Sequence, residues 1–220
     1  MPTDFYRKLA MPKMHRILFL IIILYPLICN AQNQLKPAIT KPIPVSDLVG
    51  YLDYPSSVKA LISNASDLTK QNLTYMYGSA DPKNHGMDCS GTIYYLLSNN
   101  GVKDVPRSAN DMYQWVEKNG ALYHVQANNF NSADFSKLKP GDLLFWSGTY
   151  KIGNSNSITH VMLYLGKNAN HEPLMFGSSD GRTYQNKKMW GVSVFDFKLP
   201  AKGDSAKFLG YSCIPHLTCD

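Results

Sequence analysis

The chain has 220 residues, 44% of them apolar and 17% charged, which fits one globular domain or at most two small ones. Its formal charge of +6 is concentrated at the start, where residues 1–31 carry Arg7, Lys8, Lys13 and Arg16 against Asp4, so the remainder holds only +3. So mild a balance lacks the basic stripe of a nucleic-acid-binding protein and gives no nucleic-acid partner, although it is compatible with an anionic cell envelope.

Lys13, His15 and Arg16 precede an apolar run over 17–24 that continues through Pro26 to Ile28 and ends in Cys29-Asn30-Ala31. The uninterrupted apolar part is shorter than the ~20 residues that span a bilayer. Ala31, with the small Cys29 two positions earlier, suits a signal peptidase cut before Gln32. The pattern predicts a secretory signal over 1–31, with Met14 an alternative start. The protein is then expected in the periplasm or cell envelope, or secreted, with no stable membrane insertion once the signal is removed. A membrane anchor is the alternative, against which the short run counts. A lipoprotein acylated at Cys29 is disfavoured because Ile28 stands where a small residue is the norm. Of the four cysteines, export leaves Cys89, Cys213 and Cys219, an odd number in an oxidising compartment. Cys213 and Cys219 lie six apart across Pro215 and fit a small terminal disulfide, with buried free thiols as the competing reading. A disulfide there leaves Cys89 alone.

Residues 32–45, with Pro37, Pro42 and Pro44, predict an extended lead-in, and 46–220 the domain. Over 57–73 the apolar positions Val58, Leu61, Ile62, Ala65 and Leu68 repeat with the helical period. After a loop over 78–86, Ile93 to Leu97 predict a helix that begins near Thr92 and stops at Asn99-Asn100-Gly101. A third helix is expected over 108–117. Short strands follow at 143–146, after the turn Lys139-Pro140-Gly141-Asp142, and at 160–165, 174–176, 192–197 and 208–211. Helices first and antiparallel strands after predict an α+β domain with helices packed on one face of a meander.

Cys89 lies directly before the second helix. Backbone N–H groups and the positive end of the helix dipole at such a position stabilise a thiolate, lower the thiol pKa and offer donors to an oxyanion. A lone cysteine there is ordinarily core, but His160, at the mouth of a strand, supplies a base. A Cys/His pair drawn from separate elements is the papain-like arrangement. His85, His124, His171 and His216 lack zinc-ligand spacing and read as solvated or satisfied side chains.

Six runs in order, Tyr75-Met76-Tyr77-Gly78, Asp88-Cys89-Ser90-Gly91, Pro106-Arg107-Ser108, Leu138-Lys139-Pro140-Gly141-Asp142-Leu143, residues 160–166 and Gly191-Val192, give the chain a resemblance over 73–211 to the NlpC/p60 family of bacterial cell-wall cysteine peptidases. The resemblance implies a papain-like fold, Cys89 as nucleophile and His160 as base. It also implies a tyrosine near the thiol, Tyr75 in preference to Tyr77, and Asp88 and Ser90 as holders of the stem-peptide amino group. A carboxylate suits an ammonium group, while helix capping is the plainer role for Asp88.

Family members place His, Asn or Gln on the strand after the histidine strand as a third catalytic member. Here the turn is enlarged over 166–173, and direct alignment falls on Phe176 or Gly177, which cannot orient an imidazole. Pairing Leu165 with Leu174 or Met175 instead sets His160 opposite Ser179 or Asp180. Asp180 is the better orienter, because a carboxylate accepts the ring N–H and stabilises the imidazolium. Ser178 and Ser179 are the fallbacks, and Asp180-Gly181 is also a turn signal. The reaction implied is hydrolysis of a peptidoglycan stem peptide or muropeptide, at the bond between D-glutamate and the following diamino acid, through an acyl-enzyme thioester and without metal or organic cofactor. The alternatives are an N-acetylmuramoyl-L-alanine amidase on the same dyad, a non-catalytic wall-binding protein that keeps the fold, and an acyltransferase working through the same thioester.

Overall fold

The computed structural model describes residues 35–151 and 157–219; the segment read as a signal, 1–31, lies outside them. Helix α1, Ser56–Thr69, buries Val58, Leu61, Ile62, Ala65 and Leu68, the stripe its period dictates. It stops short of residue 73 because the chain turns through Asn72 in the left-handed region, at φ 52°. Two short strands follow, β1 (Thr74–Tyr75) and β2 (Gly86–Met87), paired in parallel. Helix α2, Cys89–Asn99, begins three residues before the expected start at Thr92, because the Asp88 side chain accepts the Gly91 N–H and caps it. Helix α3, Ala109–Asn119, is capped by Ser108, whose hydroxyl accepts from Asp111 N and donates to the Asp111 carboxylate.

The remaining strands are β3 (Leu122–His124), β4 (Leu143–Ser147), β5 (Ile158–Lys167), β6 (Pro173–Ser179), β7 (Thr183–Tyr184), β8 (Lys187–Lys188), β9 (Gly191–Asp196) and β10 (Lys207–Ser212). Among the described residues six of them form one sheet in the order β3-β10-β4-β5-β6-β9, with every neighbouring pair antiparallel, while β7 and β8 make a separate hairpin. This is the predicted α+β order of helices followed by an antiparallel sheet. A one-sided meander would alternate buried and exposed residues, yet β4 is buried at every position and β5 at all but Lys167. Helices cover one face. Aromatic packing covers the other: Trp146 lies edge-on to Phe197 and Phe208, and Phe130 packs on Phe135 and Phe197.

The lead-in is extended, and residues 35–44 lie along the outer edge of β9. Ile39 pairs with Trp190, Lys41 N–H donates to Ser193 Oγ and Lys41 O accepts from Val194 N, and Ile43 is buried. Near the other end Cys213 and Cys219 are joined as a disulfide with their Cα atoms 4.9 Å apart. Among the described residues no helix is long and apolar enough to cross a membrane, and Cys89 is the free thiol.

Candidate active site

Cys89 is the first residue of α2, and the turn before it is held unusually firmly. Asp88 Oδ1 accepts from Gly91 N at 2.6 Å, and Oδ2 accepts from Gly78 N at 2.8 Å. Arg107 clasps both oxygens, Nη1 at 3.1 Å and Nη2 at 2.8 Å, and also donates from Nη1 to Ser90 Oγ at 3.0 Å. Ser90 in turn donates to Asp88 Oδ1 at 3.3 Å. An ionised carboxylate offers about four lone-pair sites, and these donors fill those of Asp88. These partners give Asp88 a structural role, capping α2 and fixing Arg107, beside the amine-holding role expected of it.

The same turn is wedged between two strands. Strand β5 begins at Ile158 and β6 runs to Ser179, yet their last pair on this side is Leu163 with Phe176. Into the gap come Met87, whose carbonyl accepts from Ser178 Oγ at 2.7 Å, and Cys89, whose thiol donates to Thr159 O at 3.9 Å. The Val161 N–H also faces the sulphur. Cys89 thus touches the backbone on both sides of His160. Its thiol pKa is not lowered as the helix end alone would predict. Burial, then the Asp88 carboxylate, push it up to about 11, outweighing the N–H groups of Val161, Ser90 and Cys89 that favour the thiolate.

His160 is buried, and its ring packs edge-on to Trp146, its partner on β4. Burial, and next the Arg182 guanidinium, hold its pKa well below the ordinary imidazole value. Arg182 Nε donates to His160 Nε2 at 3.2 Å, with the guanidinium carbon 4.4 Å from the Trp146 ring centroid. This places a cation where a third member that accepts the ring N–H was expected. Asp180 lies one residue past the end of β6, exposed, and no hydrogen bond ties it to His160 among the described residues. The reason is a bulge. At the hairpin end Gly166 pairs with Leu174, but the register shifts between Tyr164 and Gly166, so that Tyr164 meets Met175 and Leu163 meets Phe176. Continuing that register sets Ser179, not Asp180, opposite His160. Ser178 faces away to Met87.

Two cavities meet at this point. One, of about 440 Å³, is lined by Asp88, Cys89, Ser90, Arg107 and Asn110. The other, of about 670 Å³, is lined by His160, Asp180, Arg182, Asp196 and Lys198. Tyr75, Tyr77, Tyr150 and Thr159 belong to both. Tyr75 is half-buried and lies edge-on to Trp190, with centroids 6.4 Å apart, whereas Tyr77 is 77% exposed. Burial first, then the charge of Cys89, raise the Tyr75 pKa and keep its hydroxyl a neutral donor. Sequence reasoning missed Arg182 and Arg107. The Arg107 signal lay in Pro106-Arg107-Ser108, read for its order and not for its charge.

The NlpC/P60 family model matches residues 72–193. Gamma-DL-glutamyl hydrolase of Bacillus subtilis (strain 168) is 30% identical over 128 residues, 56% of this chain and 26% of that protein. Murein DD-endopeptidase MepH of Escherichia coli (strain K12) is 30% identical over 114 residues, 49% of this chain and 36% of its own length. The probable endopeptidase YafL of the same strain is 32% identical over 92 residues, 42% and 30% of the two chains. The matches therefore span between a quarter and just over a third of these relatives. The family match covers more than half of the chain and contains the Cys89 turn, the β5 histidine and Arg182: the chain belongs to the NlpC/P60 family.

Proposed function

We propose that the chain is an exported cysteine peptidase that hydrolyses stem peptides of peptidoglycan, with Cys89 as nucleophile and His160 as base. The observation that carries this reading is a free thiol on the first residue of α2, lining a cavity and lying against the backbone on either side of the β5 histidine. Family membership and the murein endopeptidase and glutamyl hydrolase names of the relatives support the substrate class. The fold is read as papain-like on the same ground, and export rests on the signal pattern over 1–31.

With the thiol pKa raised and the imidazole pKa lowered, the resting pair is neutral, so the proton moves during the reaction rather than before it. The imidazole takes the thiol proton as sulphur attacks the amide carbon, and the oxyanion falls to the N–H groups at the start of α2. The imidazolium then protonates the leaving amine, and water, deprotonated by the imidazole, releases the acid from the thioester. Tyr75 and Ser90 wall the thiol cavity, and Asp88 acts through the turn it fixes. The bond between D-glutamate and the following diamino acid is the favoured one, in line with the glutamyl hydrolase relative. Mass spectrometry of purified muropeptides after digestion tests both bond and chemistry. New termini at that bond are expected, and they should disappear with Cys89→Ala in a protein that stays folded. Near wild-type turnover by Cys89→Ala would sink the assignment, and release of free L-alanyl peptides from muramic acid would indicate the amidase instead.

A further inference from the structure

A third cavity, of about 590 Å³, adjoins the larger of the two described above and shares Asp196, Lys198 and Leu199 with it. The peptidase chemistry uses none of its residues. Five side-chain amides, Asn128, Asn129, Asn170, Gln185 and Asn186, converge on it together with the Glu172 carboxylate. They come from three separate segments: the loop after β3, the enlarged β5–β6 turn and the tip of the β7–β8 hairpin. Phe130 lies half-buried in the wall, propped edge-on by Phe197 with ring centroids 4.9 Å apart.

These walls are held in place by the chain itself. In the β5–β6 turn Asn168 Oδ1 accepts from Asn170 N at 3.0 Å and from Glu172 N at 2.9 Å, and Asn168 Nδ2 donates to Glu172 Oε2 at 2.8 Å. At the hairpin tip Gln185 N donates to Asp196 Oδ1 at 3.0 Å. Lys198, paired with Asp196 at 3.1 Å, donates to Asn186 Oδ1 at 3.5 Å. Gln185 and Asn186 both adopt left-handed backbone, φ 49° and 62°, so a long amide side chain is kept at a turn position where glycine carries no steric cost. Among the described residues the Asn170 side-chain amide, the Nδ2 groups of Asn128 and Asn186, Gln185 Oε1 and Glu172 Oε1 have no protein partner. Donors and acceptors are thus already set around an open space, and a ligand meets them without ordering the walls.

The lining selects by chemistry. A neutral amide places a donor beside an acceptor, which matches hydroxyl and acetamido groups, and Phe130 offers an apolar surface to the C–H face of a sugar ring. An anionic peptide is matched less well, because the one cation of the lining, Lys198, is already held by Asp196 and Asn186. Strand addition by a peptide is closed too, since the β9 main chain pairs with β6 on one side and with the lead-in around Lys41 on the other. We propose that this cavity is a subsite for an uncharged, N-acetylated saccharide of the wall, seated beside the peptide that occupies the catalytic cavities. The inference rests on the peptidase reading and deepens it: the favoured substrate is a stem peptide presented together with glycan. That glycan is either the sugar amide-linked to the cleaved peptide or the one carried by a cross-linked neighbour.

The test measures binding first, without turnover, on the full-length Cys89→Ala protein. Chitotetraose, an uncharged N-acetylated probe, should bind with a Kd of about 1 mM or below and shift the side-chain amide signals of Asn170, Gln185 and Asn186 in 15N spectra. Cellotetraose, which lacks acetamido groups, should bind at least about tenfold more weakly. The double variant Asn170→Ala/Asn186→Gly, whose glycine suits the left-handed turn, should lose chitotetraose affinity by at least about tenfold. With Cys89 restored, the same double variant should cleave the bare tripeptide L-alanyl-γ-D-glutamyl-L-lysine with unchanged kcat/KM. In the wild type, a lower KM for the tripeptide bearing its own disaccharide identifies the first source of glycan, and a lower KM for a cross-linked dimer with the disaccharide on the other peptide identifies the second. Absence of chitotetraose binding, equal binding of cellotetraose, or unchanged affinity in the double variant would each overturn the subsite. Shifts of the same amides by the bare tripeptide and not by chitotetraose would make the cavity a peptide site and overturn it equally. If chitotetraose binds as expected and no peptide is cleaved, the subsite stands and the peptidase reading fails.

Discussion

Asp88 shows how one side chain can be consumed by architecture at the edge of a reactive site. Two backbone N–H groups, the Ser90 hydroxyl and the paired nitrogens of Arg107 converge on its two oxygens, and the Asp88 side chain is only 8% exposed. Substituting Asp88→Asn keeps the size but turns one acceptor into a donor facing donors, so it should lower stability by about 1–3 kcal/mol in urea unfolding. If the carboxylate has no lone pair to offer, acetylating the substrate amine should reduce kcat/KM of wild type and Asp88→Asn by the same factor. A loss confined to the wild type would show that the carboxylate does receive the ammonium group and that Arg107 yields it. The residue-by-residue legibility of the site follows the same logic. Cys89 and His160 were visible because each is a chemically distinctive group beside an element boundary. Arg182 is not, because a third catalytic member is recognised as a group that accepts from the imidazole, and a donor does not answer that description.

At the scale of elements, the site depends on how closely the loop before β2 approaches the start of α2. A Cβ added to Gly91 would lie inside contact distance of the Ser79 carbonyl oxygen and close to Asp88 Oδ1, and Ser79 O already accepts from Asp88 N at 3.0 Å. The helix and the loop therefore touch through backbone, with no flexible side chain to give way. Gly91→Ala should destabilise the fold by roughly 1–3 kcal/mol and, by tilting the helix start, lower kcat more than it raises KM. Full activity with an unchanged urea midpoint would show that the loop moves freely. Most elements could be read from the sequence: α1 from its apolar period, α2 from its apolar run and glycine stop, and β4, β5, β9 and β10 from their apolar runs. What could not be read was geometry between elements. Pairing Leu165 with Leu174 and pairing it with Met175 describe two registers, and the bulge near Leu165 uses the second at the hairpin end and the first beyond it. A one-residue shift of that kind decides between Ser179 and Asp180 opposite His160, and nothing in local composition encodes it. The second layer over the sheet was equally hidden, because Phe130 and Phe135 lie in a loop-rich stretch without strand or helix period.

For the molecule as a whole, two buried titratable groups pull its pH response in opposite directions. His160 has a folded pKa below its unfolded value near 6.5. On acidification through that value the unfolded chain binds the proton and the folded one does not, so stability falls. Asp142, 1% exposed, is pushed up to about 7 by burial, with the Lys139 N–H and the Lys139 charge only partly opposing it. One of its oxygens has no partner. Between about pH 4 and 7 the folded chain holds a proton on Asp142 that the unfolded chain has released. This contribution is therefore fully present below the unfolded carboxylate value and is lost as pH rises through 7. Over pH 5 to 7 the two groups offset each other, and the wild-type urea midpoint should change little. Asp142→Asn removes the acid-side contribution and leaves that of His160 alone, so the variant should lose up to roughly 2 kcal/mol more than wild type on going from pH 7 to pH 5. The comparison uses each protein as its own reference, so a general cost of the substitution cancels. Parallel pH dependences for wild type and Asp142→Asn would mean that Asp142 is ionised in the folded chain throughout this range, and that the protein's acid response is set by His160 and its surface carboxylates.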